Sequence, residues 1–170
     1  MNGKILFDFL DTNKIEYQLF KHQPVFTCQD RPILIDSNNI ETLPGMHSKN
    51  LFLKDQKDNF FLVSIGQEKR VDLNALSKEL DCPRFSFGKP EELLAFLKLQ
   101  PGSVTPFGLI FDEGKKVTFV LDEDFLTASL ITFHPLRNDM TVALAPQQFL
   151  VCMEKMEHQP RIMRIPVRTV

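Results

Sequence analysis

The stretch Pro101-Gly102-Ser103-Val104-Thr105-Pro106-Phe107-Gly108 separates a helical pattern from a strand pattern and reads as a short, stiff loop. Each proline fixes its own φ and gives up an N–H, and each glycine lets backbone approach a neighbour closely. The amides that remain can point outward together. Such a nest seats an anion or an oxyanion. Taken alone, the same residues are also an ordinary turn.

On either side of this loop the apolar pattern changes period repeatedly. Ile5, Leu6, Phe9 and Leu10 have helical spacing and predict a helix over about 2–13, and residues 16–21 alternate as a strand. Thr27 is placed to cap a helix through Asp36, with Pro32 near its start and Ser37-Asn38-Asn39 as its break. Residues 49–54 and 60–65 form a hairpin signature. Leu73, Leu76 and Leu80 mark a short helix behind the cap Asp72, and Pro90-Glu91-Glu92 opens another. Strands are expected at 108–111 and 116–121, turning at Glu113-Gly114, and again at 128–133 and 140–144. Pro146 starts a last helix, and 161–167 is a final edge strand. The expected fold is a single α+β domain over 1–170, with its core about 2–165. A mixed, largely antiparallel curved sheet is flanked by helices.

A net charge of −2 argues against nucleic-acid binding by bulk attraction. A local basic patch from Lys49, Lys54, Lys69 and Arg70 stays open as a way to grip one RNA end, with Asp112, Glu113, Asp122, Glu123 and Asp124 gathered elsewhere. No run of about 18 apolar residues exists, and the N-terminus lacks a secretory pattern, so a cytoplasmic protein away from membranes is expected. Cys28, Cys82 and Cys152 are far apart and predict buried thiols rather than a zinc site or disulfides.

Lys49 shares a strand face with Leu51 and Leu53. A lysine there either snorkels to water or meets an anion. Ser103 as a nucleophile needs a histidine base held by an acid, and its surroundings are not GxSxG. His134 closes a strand as a packing or pocket residue. His47 either shapes a turn or faces the Lys49 cleft, and His22 and His158 read as surface residues. Phe26, Phe52, Phe107 and Phe133 are candidates to bound a pocket or stack on a base, or else belong to the core.

Five segments in order, LPGMHSKNLFL (43–53), KRVDL (69–73), PGSVTPFGL (101–109), VLDED (120–124) and FHPL (133–136), resemble the YbaK/ProX family of aminoacyl-tRNA deacylases. Within it they are most similar to the free-standing type that removes alanine from mischarged proline tRNA. The resemblance implies that Lys49 contacts the phosphate and terminal adenosine of the acceptor end, with Asn50 as its hydrogen-bonding neighbour. It implies that the GxxxP loop, Gly102 to Pro106, holds the ester carbonyl and the attacking water through backbone groups. Lys49, Gly102 and Ser103 are then the catalytic set, and the Lys49 side chain and the loop amides are expected in one cleft. His134 lines the aminoacyl pocket and helps select alanine. Thr27 and the following helix form a lid over the acceptor end, and Phe26 and Thr27 count among the substrate-binding residues.

The ester is already activated and the ribose 2′-hydroxyl helps deliver water, so neither metal nor cofactor is expected. The implied partners are the acceptor end of mischarged proline tRNA and prolyl-tRNA synthetase. A non-catalytic tRNA- or synthetase-binding module, and a deacylase for serine or cysteine, are the competing expectations. Departures from the family pattern are Ser48 before the lysine, the proline-bearing segment 28–40, and the tail arginines Arg161, Arg164 and Arg168.

Overall fold

A long hairpin organises the molecule. Strands β1 (Gln18–Lys21) and β2 (Met46–Lys54) come first along the chain, and β2 pairs antiparallel with β3 (Phe60–Gly66) from Ser48↔Gly66 to Lys54↔Phe60. Asp55 pins the connection, its carboxylate accepting from the amides of Lys57 (2.8 Å) and Asn59 (3.0 Å). The coordinates are a computed structural model that describes residues 2–23 and 44–168.

Beyond the hairpin come β4 (Ser86–Phe87), β5 (Val117–Asp122), β6 (Ile131–Phe133), β7 (Met140–Leu144) and β8 (Arg161–Met163). The spatial order is β1-β7-β6-β2-β3-β5-β8, with β4 added beside β2. Among the described residues four pairings are antiparallel and three parallel. With helices α1 (Asn2–Thr12), α2 (Leu73–Glu79), α3 (Pro90–Leu97) and α4 (Pro146–Lys155) packed on it, this is the expected α+β fold with a mixed sheet.

Strand alternation splits the core in two. Phe52, Leu62, Phe119, Phe133 and Val142 face one side with α1, α3 and α4, in a cluster that stacks Phe133 on Phe149 at 4.6 Å. Leu53, Val63, Ile65 and Val120 face the other side with Leu76 of α2.

The sequence expectations fail locally, for identifiable reasons. Residues 108–111 are no strand: Pro106–Phe111 is a 3-10 helix, with Pro106 at its start and the Thr105 hydroxyl accepting from the Phe107 amide (3.4 Å). The partner that 108–111 was expected to give β5 is supplied instead by β3, in parallel. Glu123–Thr127 is also a 3-10 helix, so the strand expected from 128 begins at Ile131. The strand expected over 161–167 stops at Met163, before Pro166 and an isolated bridge between Val167 and Val71. β4 went unanticipated because two residues carry no period. The helix expected at 27–36 lies outside the described residues. Asp72 caps α2 as anticipated, accepting from the Ala75 amide. Among the described residues no helix is long and apolar enough to cross a membrane.

Candidate active site

The half of the sheet formed by β1, β7, β6 and the start of β2 buries apolar residues on one face only. Ile131, Phe133, Val142 and Leu144 go to the core. Alternation sends Thr132, Thr141 and Ala143, all buried, to the opposite face. The antiparallel register of β1 with β7 adds Phe20, opposite Thr141. The parallel register of β2 with β6 adds His47, opposite Thr132. Continuing the Phe133↔Val142 register by one residue sets His134 level with Thr141. The result is a polar face with small side chains at its centre.

Three of the four histidines gather here. The rings of His22 and His134 are 6.3 Å apart, and His47 is close enough to influence His134 electrostatically. His22, expected at the surface, is fully buried because it follows β1 against β7: its amide donates to the Asp139 carbonyl (3.0 Å) and its Nε2 meets the Thr141 hydroxyl (2.8 Å). His134 Nδ1 lies 3.0 Å from the Met140 carbonyl. A carbonyl only accepts, so Nδ1 carries the proton and Nε2 is left as an acceptor. Burial holds the His134 pKa below the usual imidazole range, with the nearby His22 and His47 acting in the same direction against its Met140 hydrogen bond. His134 is therefore a neutral imidazole at neutral pH.

Lys49 belongs to the same sheet face as His47, two residues on. Its ammonium donates to the carbonyl of Lys69 within the β3–α2 connection. Its strand neighbour Asn50 points the other way. Asn50 Oδ1 accepts from the Ser64 hydroxyl, its Nδ2 donates to Ser48 Oγ (3.1 Å), and Ser48 Oγ donates to the Thr132 carbonyl (2.8 Å). The relay ties β3, β2 and β6 together on the core side. Asn50 is thus a structural strut for the strand that presents Lys49.

The Gly102 loop is built differently from the nest expected of it. Ser103 donates its amide to the Gln100 carbonyl (3.0 Å), with Pro101 and Gly102 between them and Gly102 at φ +90°. Proline followed by a left-handed glycine is the signature of a type II turn. The Ser103 amide is consumed inside that turn. Val104 and Phe107 then pack into the core cluster, Phe107 lying edge-on to Phe133 at 6.0 Å, and Pro106 is buried. The expected convergence is therefore split by the sheet: Lys49 and His134 share one face, and the loop that carries Gly102, Ser103 and Pro106 leads into the other. The strand β2 offers one place where the two faces meet. It pairs with β6 only at Met46–His47 and with β4 only at Leu53–Lys54, both on the edge away from β3. Among the described residues, Ser48 to Leu51 have no strand partner on that edge.

Other expectations are corrected. Phe52, Phe107 and Phe133 are core residues, too buried to stack on a base. Phe26 and Thr27 lie outside the described residues. The basic patch is largely neutralised: Lys54 pairs with Glu92 (3.2 Å), and Lys69 with Asp122 (3.0 Å) and Asp124. Burial disfavours charge on Lys69, but hydrogen bonds to Asp124 and Asp122 outweigh it and raise its pKa. The acids expected elsewhere are thus the partners of the patch. His158 is buried against Asp112 (2.9 Å), and Arg164 of the tail reaches Glu123 (3.2 Å). Among the described residues, no group of three or more His, Cys, Asp or Glu side chains could hold a metal ion. Sequence reasoning missed His22, Thr132, Thr141 and Ala143. Their one signal was the alternation of β6 and β7, read only for its apolar half.

The fold and this face define a class: a small α+β domain with a polar sheet face of imidazoles and hydroxyls flanked by one lysine. Residues 35–151 match the model of the aminoacyl-tRNA editing domain, and the chain belongs to that family. It is an aminoacyl-tRNA deacylase, a hydrolase of the bond between amino acid and tRNA. The chain is 36% identical over 154 residues to prolyl-tRNA synthetase associated domain-containing protein 1 of Mus musculus, covering 88% of each. It is 35% identical over 137 residues to the prolyl-tRNA editing protein ProX of Acetoanaerobium sticklandii, covering 80% of each. A solved structure described as a candidate trans-editing enzyme for prolyl-tRNA synthetase superposes with a TM-score of 0.70 at 14% identity, over 97% of this chain and 96% of that one, which supports the fold.

Proposed function

We propose that the chain acts in trans on alanine mischarged to proline tRNA. The observation that carries this reading is the sharing of one sheet face by Lys49 and His134, with the small residues Thr132, Ala143 and Thr141 beside them on β6 and β7. A floor of small, buried side chains leaves room for a methyl group. A synthetase pocket built for proline cannot reject alanine by size, since one methylene is worth only about 1–3 kcal/mol. A second, smaller pocket that rejects the proline ring supplies the missing discrimination.

In this reading the acceptor end lies along the unpaired edge of β2. There the Lys49 ammonium reaches phosphate and ribose from one face, and the Gly102 loop reaches the ester from the other. The ester is attacked by water that the ribose 2′-hydroxyl helps to position, and loop amides other than that of Ser103 stabilise the oxyanion. Position and charge stabilisation are then the whole of the protein's contribution. Ser103 supplies no nucleophile, because His22, His47 and His134 lie on the far face from its loop and His158 is held against Asp112.

The test is single-turnover deacylation of proline tRNA charged with alanine, serine, cysteine or proline. Alanine should be released fastest and proline spared. Lys49→Ala should lower the rate about a hundredfold, in the range seen when one charge-stabilising donor is lost, while Ser103→Ala stays within about threefold. Release of serine or cysteine in preference to alanine moves the specificity, and loss of turnover in Ser103→Ala moves the mechanism. Tight tRNA binding with every ester left intact overturns the reading.

A further inference from the structure

His22 stands beside His134 on the polar face and has no part in the reaction outlined above. It is fully buried, its Nδ1 lies 2.7 Å from the Gln23 carbonyl, and its Nε2 lies 2.8 Å from Thr141 Oγ1. The carbonyl accepts, so the proton sits on Nδ1. With the tautomer set that way Nε2 accepts, and the Thr141 hydroxyl gives its hydrogen to it. This fixes the hydroxyl: its hydrogen points at His22, and its lone pairs remain for whatever enters the face. His134, level with Thr141 on the adjoining chain, has its Nδ1 hydrogen committed to Met140 in the same way. Side chains opposed across an antiparallel pair start about 5 Å apart. Two residues level across the β6–β7 register, Thr141 and His134, therefore each have a hydrogen committed to a partner behind them, which leaves Oγ1 and Nε2 to accept.

Two acceptors on one face suit a group that has donors and no acceptor. An ammonium is such a group, with three N–H bonds, and burying it unpaired is costly. The aminoacyl end of the substrate carries one next to the ester carbonyl. Lys49 lies on β2, two strands from β7 and so about 10 Å away, with its own ammonium turned to the Lys69 carbonyl. The face is thus graded from a cation on β2 to acceptors where β6 meets β7.

We propose that His22 is a positioning residue that presents Thr141 Oγ1, together with His134 Nε2, as the recognition site for the free α-ammonium of the aminoacyl group. The inference rests on the deacylase reading and narrows its substrate class to tRNA esters with an unblocked α-amino group. An N-acylated aminoacyl-tRNA has lost the charge and keeps a single N–H, so it is excluded.

The test compares adenosine carrying alanine in a non-hydrolysable 3′-amide link with its N-acetyl form by calorimetry. Alanyl- and N-acetylalanyl-tRNA deacylation is measured in parallel. Wild type should favour the free amine at least about tenfold, the size of one hydrogen bond to a charged group. Thr141→Val and His22→Phe should bring the preference close to unity, mainly through KM, and Thr141→Ser should restore it. Where His22→Phe fails to fold, the two Thr141 variants decide alone. Equal binding of both ligands by wild type, or an undiminished preference in Thr141→Val, overturns the inference. Cleavage of alanyl-tRNA without amine preference defeats the ammonium site and leaves the deacylase reading standing. Amine preference without hydrolysis does the reverse.

Discussion

Neighbouring residues 49 and 50 do opposite work because a strand sends successive side chains to opposite faces. Lys49 goes to the polar face. Asn50 goes to the core side, where it links Ser64 to Ser48. Removing the Asn50 amide leaves the buried Ser64 hydroxyl without its acceptor, which costs about 1–3 kcal/mol. Asn50→Ala should therefore lower stability in urea by that amount, and Asn50→Ala with Ser64→Ala should recover part of it. His134 yields a prediction about pH. Its imidazole resists protonation in the fold and takes a proton near pH 6.5 when unfolded. Below that pH the unfolded chain binds more protons than the native one, so stability falls as pH drops. At pH 7 and above the contribution is complete. Urea unfolding at pH 5.5 and 7.5 should show a loss on acidification that His134→Gln reduces.

Among the elements, the turn from the 3-10 helix into β5 depends on Asp112. This buried carboxylate accepts from the amides of Lys116 (3.0 Å) and Val117 (2.8 Å) and from His158 Nε2 (2.9 Å), which anchors the end of α4 to the start of β5. Asp112→Ala leaves three donors without their acceptor and should cost about 1–3 kcal/mol for each one that stays buried. Calorimetry would register it as a drop in Tm, with His158→Ala giving a smaller one. Helix α4 also carries a built-in reporter. Burial pushes the Cys152 thiol up to about 12, so it stays protonated at pH 8. Iodoacetamide should leave Cys152 unmodified in the folded protein and label it once urea unfolds the chain.

Across the whole molecule, β2 joins what the two cores hold apart. Phe52 belongs to the larger cluster and Leu53 to the smaller, and Lys49 reaches the chain segment that leads into the smaller one. Lys69 fastens that segment to Asp122 at the end of β5, and Asp122 also accepts from the Ile165 amide (3.2 Å). Lys69→Ala should then loosen the approach to β8, cost about 2 kcal/mol as a buried carboxylate loses its partner, and slow deacylation by freeing the carbonyl that orients Lys49. Thermal unfolding and single-turnover rates on one preparation check both. A variant with full activity and lowered Tm would separate the network from the site.

Much of this was written in short-range pattern. The period of apolar residues marked α1, α3, α4 and the β2–β3 hairpin, Asp72 announced its helix, and Lys49 and His134 stood out as polar residues at strand ends, because each of these signals needs only neighbours in sequence. The pairing of β3 with β5, the turn of 108–111 into a 3-10 helix, and the burial of His22 and His158 depended on partners up to 119 residues away, as with His22 and Thr141. No local spacing encodes those contacts. The motif residues were legible one by one, but which sheet face received each of them was set by register. A one-residue difference in register exchanges the two faces, and only the assembled sheet fixes it.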